Sequence, residues 1–539
     1  MGRVSSVSCI AVLLEVQESR AGGAGVARAV TKPSMQTLAG LHCRMNSSQP
    51  RPRADLVRIA TEAMSQRGLA SAFSVDVEQQ LASITGPGGD ADPQTRDLTA
   101  LPWCSIDNDD SLDLDQLTAC EVLGGGGSGV GSVKIFVAVA DVDALVKKGS
   151  AIDAHALINT TSVYTSAKVF PMLPERLSTD LTSLNPGQDR LALVTEMIVA
   201  ADASIEQATV YRATVRNKAK LDYDAVAAWI DGEGALPDAA RAIPGLDVQL
   251  RTQDEVAQRM RARRHAEGAL QLETFQPRAV FEGGRVVGIG QQVQNRARQL
   301  IEELMIATNE HAARFLASGG GASLRRVVRS PERWQRIADV ARKFGEELPQ
   351  EPDSQALAAF LARRHKADAL RFPDLSLVII KLMGSGEYVV AHPGGTPIGH
   401  FGMAIRDYTH ATAPNRRFPD LITSRMLKGL LAGDPPPYSV AELEALAHHC
   451  TVQEDAAQRV ERSVRKSEAA QLLESHIGQQ FDAIVTGHSA SDTWVRLFTP
   501  PVEGKLVGRM SGFEVGQRIR VKLVATNVER GFIDFVRVD

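Results

Sequence analysis

Five aspartates stand within nine residues, at Asp107, Asp109, Asp110, Asp113 and Asp115, in the segment SIDNDDSLDLDQL. So dense a run of like charge cannot enter an apolar core without compensation. Yet it is soon followed by VKIFVAVADV (133–142), an apolar, β-rich stretch that reads as a buried strand. The chain must therefore set carboxylates at the margin of a core. Within the run, Leu112-Asp113-Leu114-Asp115 alternates. Read as a strand, it buries both leucines on one face and points Asp113 and Asp115 together from the other. A loop from Asp107 can fold back onto that face. Three hard carboxylates at one point repel one another unless a cation lies between them. Mg²⁺, with Mn²⁺ as the alternative, suits such a ligand set.

Three blander readings compete. An EF-hand loop starting at Asp107 fails, because its sixth position is Leu112 instead of Gly and its twelfth is Thr118 instead of Glu. A solvated acidic loop needs neither the leucine alternation nor the strand that follows. A purely structural Mg²⁺ or Ca²⁺ site stays open.

The chain of 539 residues is long enough for three or four domains at roughly 150 residues each. Its hydrophobic content of 44% excludes wholesale disorder. No run approaches the ~18 apolar residues of a membrane helix. With 64 acidic and 60 basic side chains, the net charge of -4 excludes a surface coated in positive charge. A local basic groove for nucleic acid remains compatible with that balance. The cysteines (Cys9, Cys43, Cys104, Cys120 and Cys450) are widely spaced and form no CxxC pair, which argues against a disulfide framework and a zinc site. A cytoplasmic location is the default expectation. Residues 1–44 read as disordered, or as an over-extended start with Met35 or Met45 as the true one.

Residues 45–96 read as a small helical module. ADLVRIATEAMSQR (54–67) places Leu56, Ile59, Ala60 and Ala63 at helical spacing before Gly68, and a second short helix follows Ser74. GPGGDADP (86–93) marks a boundary. From 97 to 477 the texture is mixed α/β: strands at 133–142 and 191–200, a glycine-rich loop at 124–132 between two strands, helical patterns over 221–265 and 295–316, and a capping box at Ser439–Glu442 opening a long helix. Residues 478–539 read as five short strands, the pattern of an OB barrel. There Arg518, Arg520 and Lys522 alternate and so share one face, a track for phosphates. Trp494, Phe498 and Phe532 serve equally well as stacking platforms or as barrel core.

A second constellation lies at 400–428, where Arg416 and Arg417 follow a Pro-containing turn and precede an amphipathic helix. Guanidinium groups there can grip a phosphate. Taken alone, paired arginines at a helix start are ordinary surface charges.

Taken in order, DLTALPWCSIDNDDSLDLDQL, VAVADV, FPMLPERLSTDLTSLNPGQDR, LIEELMIATNEHAARFL and YTHATAPNRRFPDLITSRMLKG resemble the RNB catalytic domain of the ribonuclease II family. The resemblance runs through about 97–477, and residues 478–539 are similar to the S1-type OB domain that follows it. The implied architecture is multidomain α/β (α+β): a helical N-terminal module, a large RNB domain and a five-stranded S1-type barrel. The implied activity is a processive, Mg²⁺-dependent 3′→5′ exoribonuclease that hydrolyses single-stranded RNA to nucleoside 5′-monophosphates. The implied partner is single-stranded RNA; separately, no membrane association and a monomeric chain are expected.

Asp107, Asp113 and Asp115 match the first three aspartates of the family pattern, with Asp115 the one most closely tied to catalysis. The fourth falls on Gln116, a departure. Arg416 matches the arginine at the scissile phosphate, with Arg417 beside it. Tyr164 matches the aromatic that stacks on the 3′-terminal nucleotide, and Glu302 a carboxylate near the terminal ribose. The partner aromatic of the clamp falls on Leu272. The 96 residues before position 97 are too few for the two cold-shock OB domains of the bacterial pattern, so a helix-turn-helix-like module is expected instead. Gln116 and Leu272 favour a second reading, a catalytically silent RNB protein that binds and regulates RNA. A third is a Mg²⁺-dependent phosphodiesterase acting on short oligonucleotides.

Overall fold

The computed structural model describes residues 53–538, apart from 90–92, 125–130, 274–276, 283–284, 292–293, 370, 489–491, 509–512 and 514–515. Residues 1–44, expected to be disordered, lie outside the described residues, as does most of the glycine-rich loop at 124–132.

The apolar stretch at 133 becomes the strand Val133–Ala140, and its side chains explain why it lacks polar alternation. Val133, Ile135, Val137 and Val139 enter one core, while Phe136, Ala138 and Ala140 enter another. A strand covered on both faces has no polar side to show. It lies at the middle of a seven-stranded sheet. The order across that sheet is Arg96–Asp97, Ile205–Arg216, Asp189–Val199, Val133–Ala140, Gln116–Val122, Cys104–Asp107 and Ala219–Asp222. Gln116–Val122 and Val133–Ala140 pair antiparallel with Val122 opposite Val133, as the glycine-rich connection implied. Helices Leu246–Ala266 and Arg296–Ser318 cover the face that carries Ile135 and Val137. The 221–265 region is less continuous than its pattern: a strand, Ala219–Asp222, precedes helices Tyr223–Ile230, Asp238–Arg241 and Leu246–Ala266.

The alternating Leu112–Asp115 segment is not a strand. Leu112 is 62% exposed and Leu114 only 2%, so the two leucines do not share a face. The segment is instead pinned as a loop. Ser183 Oγ donates to Leu112 O at 2.8 Å and accepts from Leu114 N at 3.0 Å. Leu184 N donates to Leu114 O at 2.9 Å. The ladder begins one residue later, at Gln116.

Both N-terminal helices form where the pattern placed them, Arg53–Gln66 and Val75–Ser83, the second capped by Ser74. They are not a helix-turn-helix unit. Leu56 and Ile59 of the first pack against the C-terminal barrel, and Ala60, Ala63 and Met64 against the long helix Val440–Leu473. Val77 of the second joins the main core. Each helix buries its apolar stripe separately on the body of the protein, so the pair has no core of its own.

The long helix opens on the expected capping box: Glu442 N donates to Ser439 Oγ at 3.2 Å, and Ser439 N to Glu442 Oε2 at 2.7 Å. Its last turns, through Ala469, Ala470 and Leu473, enter the core of a closed barrel. All five expected strands are there, in the order Gln480–His488, Thr493–Leu497, Glu503–Leu506, Phe532–Arg537 and Arg518–Asn527. Ile519, Val521 and Leu523 fill the barrel, and Arg518, Arg520 and Lys522 stand outside on one face. Trp494, Phe498 and Phe532 are exposed, so none of the three is barrel core.

Candidate active site

Asp107 ends the strand Cys104–Asp107, and Asp115 immediately precedes the strand Gln116–Val122. The loop between them returns the chain to the same end of the sheet, where these two antiparallel strands are neighbours. Asp115 is 2% exposed and accepts two hydrogen bonds from a distant segment: Asn415 N at 2.9 Å and Arg416 Nε at 3.1 Å. Asp113 Oδ2 accepts from the Tyr164 hydroxyl at 3.0 Å. Asp107 Oδ1 accepts from Asn108 N at 2.7 Å. Asp109 and Asp110 face solvent, so the acidic run divides into three aspartates turned inward and two turned out.

Burial pushes the Asp115 carboxyl up to about 7, with Arg416 pulling the other way and Asp113 adding to the rise. Burial also raises Asp107, against the hydrogen bond from Asn108 and the charge of Arg416. Burial opposes the charge on Arg416, and Tyr164, Asp115, Asp113 and Asp107 together outweigh it, so the guanidinium is held firmly cationic. One cation thus stands among three carboxylates, and its side chain is still 42% exposed. Tyr164 beside it is 43% exposed. The result is a partly exposed site that offers a guanidinium, an aromatic side chain and an excess of negative charge.

The segment that carries Arg416 is organised from below. Asp420, fully buried in the first turn of helix Phe418–Ala432, takes three hydrogen bonds on Oδ1: from Thr412 N and Ala413 N at 2.8 Å each, and from Arg417 Nη2 at 2.7 Å. Thr182 Oγ1 donates to Asn415 Oδ1 at 2.6 Å. The two arginines therefore part company. Arg416 faces the aspartates, whereas Arg417 turns into the protein and is spent on Asp420.

The remaining sequence-derived candidates divide by location. Glu302 sits on helix Arg296–Ser318, where burial pushes its carboxyl up to about 8, and Arg264 lies 3.9 Å away. Gln116 is half-buried at the start of its strand. Leu272 is 1% exposed and packs with Trp334, Ile337, Phe360 and Phe372 in a separate helical core. It has no face to offer a base, which corrects its expected place in the clamp. Arg518, Arg520 and Lys522 lie on the barrel, with Arg518 5.2 Å above the ring of Phe498.

The sequence reading missed four residues around the aspartates. Asp420 carried a signal, since a carboxylate in a helix first turn just after two arginines is a natural anchor for them. Tyr223, whose phenol is raised by burial and by Asp107, was an aromatic in the polar setting LDYD of an aromatic-poor chain. Asn108 and Arg298, joined by a 3.0 Å hydrogen bond, gave no such signal, because nothing in the pattern brings positions 190 residues apart together.

Among the described residues no three His, Cys, Asp or Glu side chains are spaced to hold a cation. The chemistry of the donor set nevertheless fits one. Asp107, Asp113 and Asp115 are hard oxygen donors, and one guanidinium leaves their charge in excess.

Comparisons with known proteins agree with this layout. A family model for the RNB domain matches residues 95–433, and one for the RNase II-type exonuclease C-terminal S1 domain matches 479–538. Ribonuclease R of Vibrio cholerae is 30% identical over 87% of this chain and 60% of its own length. Ribonuclease R of Escherichia coli is 30% identical over 85% of this chain and 59% of its own. The chain thus spans about three-fifths of the length of these curated relatives. Mycoplasma genitalium RNase R, solved with ribose-methylated single-stranded RNA, superposes with a TM-score of 0.80 at 22% identity, covering 90% of this chain and 78% of that one. A yeast pseudonuclease, Ssd1, superposes at 0.66 and 17%, covering 83% of this chain and 55% of its own, so the fold alone does not carry activity. With its aspartates and Arg416 inside the first matched region and its closed barrel inside the second, the chain belongs to the RNB-domain family of ribonuclease II-type proteins.

Proposed function

We propose that this protein is a processive 3′→5′ exoribonuclease that hydrolyses single-stranded RNA to nucleoside 5′-monophosphates. The observation that carries this reading is the contact of Arg416 with buried Asp115, beside the exposed Tyr164. It sets a phosphate-binding cation against a base-stacking surface at the edge of an acidic site.

Asp107, Asp113 and Asp115 would hold Mg²⁺, which supplies Lewis-acid activation of water and of the phosphate when bound. The chain's own groups do the rest. Asp115 fixes the guanidinium plane of Arg416 through Nε, which leaves the terminal nitrogens directed at charge developing on the phosphate. Tyr164 stacks on the terminal base while its hydroxyl steadies Asp113. Glu302, raised to about 8, is largely protonated at neutral pH and can donate to a ribose oxygen. Hydrogen bonds to 2′-hydroxyls favour RNA over DNA. Arg417 acts from behind, by fixing the turn that presents Arg416. Arg518, Arg520 and Lys522 guide the incoming strand along the barrel. The relatives named above are ribonucleases R, and a solved one binds single-stranded RNA, which supports this substrate. Cys104, Cys120 and Cys450 are buried and unpaired, which suits a reducing cytoplasm, and the reading takes the chain as a monomer.

The test uses 5′-labelled single-stranded RNA with Mg²⁺ or EDTA, and wild type beside Asp115→Asn. The expected result is a jump from full length to a few-nucleotide product, seen only with Mg²⁺ and lost in the variant. Intact RNA that still shifts in a binding gel would overturn the reading in favour of an RNA-binding regulator. Rates that do not rise with RNA length would point to a short-oligonucleotide phosphodiesterase.

A further inference from the structure

We propose that Arg298 is a positioning residue for Asp107, acting through Asn108; the inference rests on the hydrolase reading above. Arg298 lies in the first turn of helix Arg296–Ser318, one turn before Glu302. Its side chain is mostly buried, and its guanidinium stacks 4.3 Å from the ring of Tyr223. Stacking fixes the plane of the fork. From that plane Nη2 donates to Asn108 Oδ1 at 3.0 Å. Asn108 in turn donates to Asp107 Oδ1 twice, from its backbone N at 2.7 Å and from Nδ2 at 3.4 Å.

The direction of each bond matters. An amide whose oxygen is held by Arg298 must present its NH₂ group, and that group faces Asp107. Arg298 therefore selects the rotamer of Asn108 that steadies one oxygen of Asp107 and leaves the carboxylate aimed by the pair. Just beyond, Asp109 and Asp110 are exposed like charges with no burial of their own to order the loop. Lys220 Nζ, donating to Asp109 O at 3.0 Å, is a second strap on the same loop.

Two further features set Arg298 apart from an ordinary surface ion pair. Its Nε is buried without a hydrogen-bond partner. Among the described residues its acidic neighbour at ion-pair distance, Asp224, is 3.9 Å away, largely exposed, and already accepts from Asn295 at 2.7 Å. Burial of an arginine is costly where the pair is this loose, so the hydrogen bond to Asn108 and the stack on Tyr223 are what hold it there.

The experiment compares wild type, Arg298→Ala, Arg298→Lys, Asn108→Ala and the Arg298→Ala/Asn108→Ala double variant as full chains. Hydrogen exchange read by mass spectrometry on the metal-free proteins is the first arm. A peptide covering 106–114 should exchange about tenfold faster in both alanine variants, the loss of one such hydrogen bond, while a peptide covering 133–140 stays unchanged. Steady-state hydrolysis of single-stranded RNA is the second arm. The rate constant kcat should fall about 10–100-fold, the usual cost of losing a group that orients a ligating carboxylate. KM should move by less than about twofold, since no contact to RNA is removed. Arg298→Lys, which keeps a donor but loses the stacked plane, should recover only part of kcat.

The double variant should be no worse than either single one, because both residues act in one chain of bonds. Losses that add, or a rise in KM at unchanged kcat, would overturn the proposal; the second would make Arg298 an RNA contact. If the wild type cleaves no RNA, the hydrolase reading falls, and the exchange arm alone decides whether Arg298 orders the Asp107 loop. Unchanged exchange in 106–114 overturns the proposal whatever the activity.

Discussion

Replacing Asp115 by asparagine should make the metal-free protein more stable while abolishing its proposed activity. Asp115 is almost wholly buried, and its carboxyl titrates at about 7 against an ordinary 3.8. The sign follows from the direction of the rise. Below pH 3.8 the group is protonated in both the folded and unfolded chain and contributes no difference. Between 3.8 and about 7 the folded state holds a proton that the unfolded state has released, so stability falls as pH increases. Above about 7 both forms are ionised and the cost is constant, at about 4 kcal/mol. Water around the half-exposed Arg416 screens part of this, and about 2 kcal/mol is a reasonable remainder.

Asparagine keeps an oxygen for Asn415 N–H and carries no charge to desolvate. In EDTA at pH 8, Asp115→Asn should therefore melt about 2–3 °C above wild type, at roughly 1 °C per kcal/mol for a domain of this size. The gap should shrink as pH falls from 7 toward 4. Saturating Mg²⁺ should raise the wild type alone, by about 2.7 kcal/mol at a hundred times its Kd, and close the gap from the other side. Differential scanning fluorimetry across pH 4–8, with and without Mg²⁺, measures all three. A variant that melts at or below wild type at pH 8 in EDTA, with a gap independent of pH, would refute the reasoning. The burial of Asp115 would then not be a cost borne for chemistry.

Tyr164→Ala should raise KM about 5–150-fold, from the 1–3 kcal/mol of a lost base stack, and lengthen the end product on a sequencing gel. Tyr164→Phe keeps the ring but releases Asp113, so its loss should fall on kcat instead. The Arg518→Ala/Arg520→Ala/Lys522→Ala variant should lower the slope of log K against log salt for single-stranded RNA by about 2, at ~0.7 per phosphate contact, with hydrolysis of very short RNA unaffected. Asp420→Ala strands Arg417 in the interior and unties the turn at 412–417. A loss of about 3–5 kcal/mol is expected, visible as a lowered melting temperature, whereas Asp420→Asn should keep most of the fold.

What the sequence disclosed follows from the range of the interactions involved. The barrel was legible because each of its strands carries its own alternation: Ile519, Val521 and Leu523 inward, Arg518, Arg520 and Lys522 outward. The capping box at Ser439 was legible because cap and partner are three residues apart. The aspartates were legible as a cluster, but not in their conformation. Alternation of Leu112 with Leu114 looked like a strand, and it is a loop because Ser183, 69 residues away from Leu114, holds the backbone on both sides of Asp113. Leu272 failed for a related reason. Its neighbours Trp334, Phe360 and Phe372 come from three helices that local periodicity did not single out, and together they claim it for their own core. The two N-terminal helices show the complementary error. Their periodicity located them correctly, yet a stripe of apolar residues does not say what it packs against. The candidate site joins position 115 to 416 and 113 to 164. Only recognition of the motif order could bring those together in advance, and it did so for Asp113, Asp115, Tyr164 and Arg416. Of the groups behind them, Asp420 left a local trace just after the two arginines, whereas the contact of Arg298 with Asn108 emerges only from the hydrogen bonds.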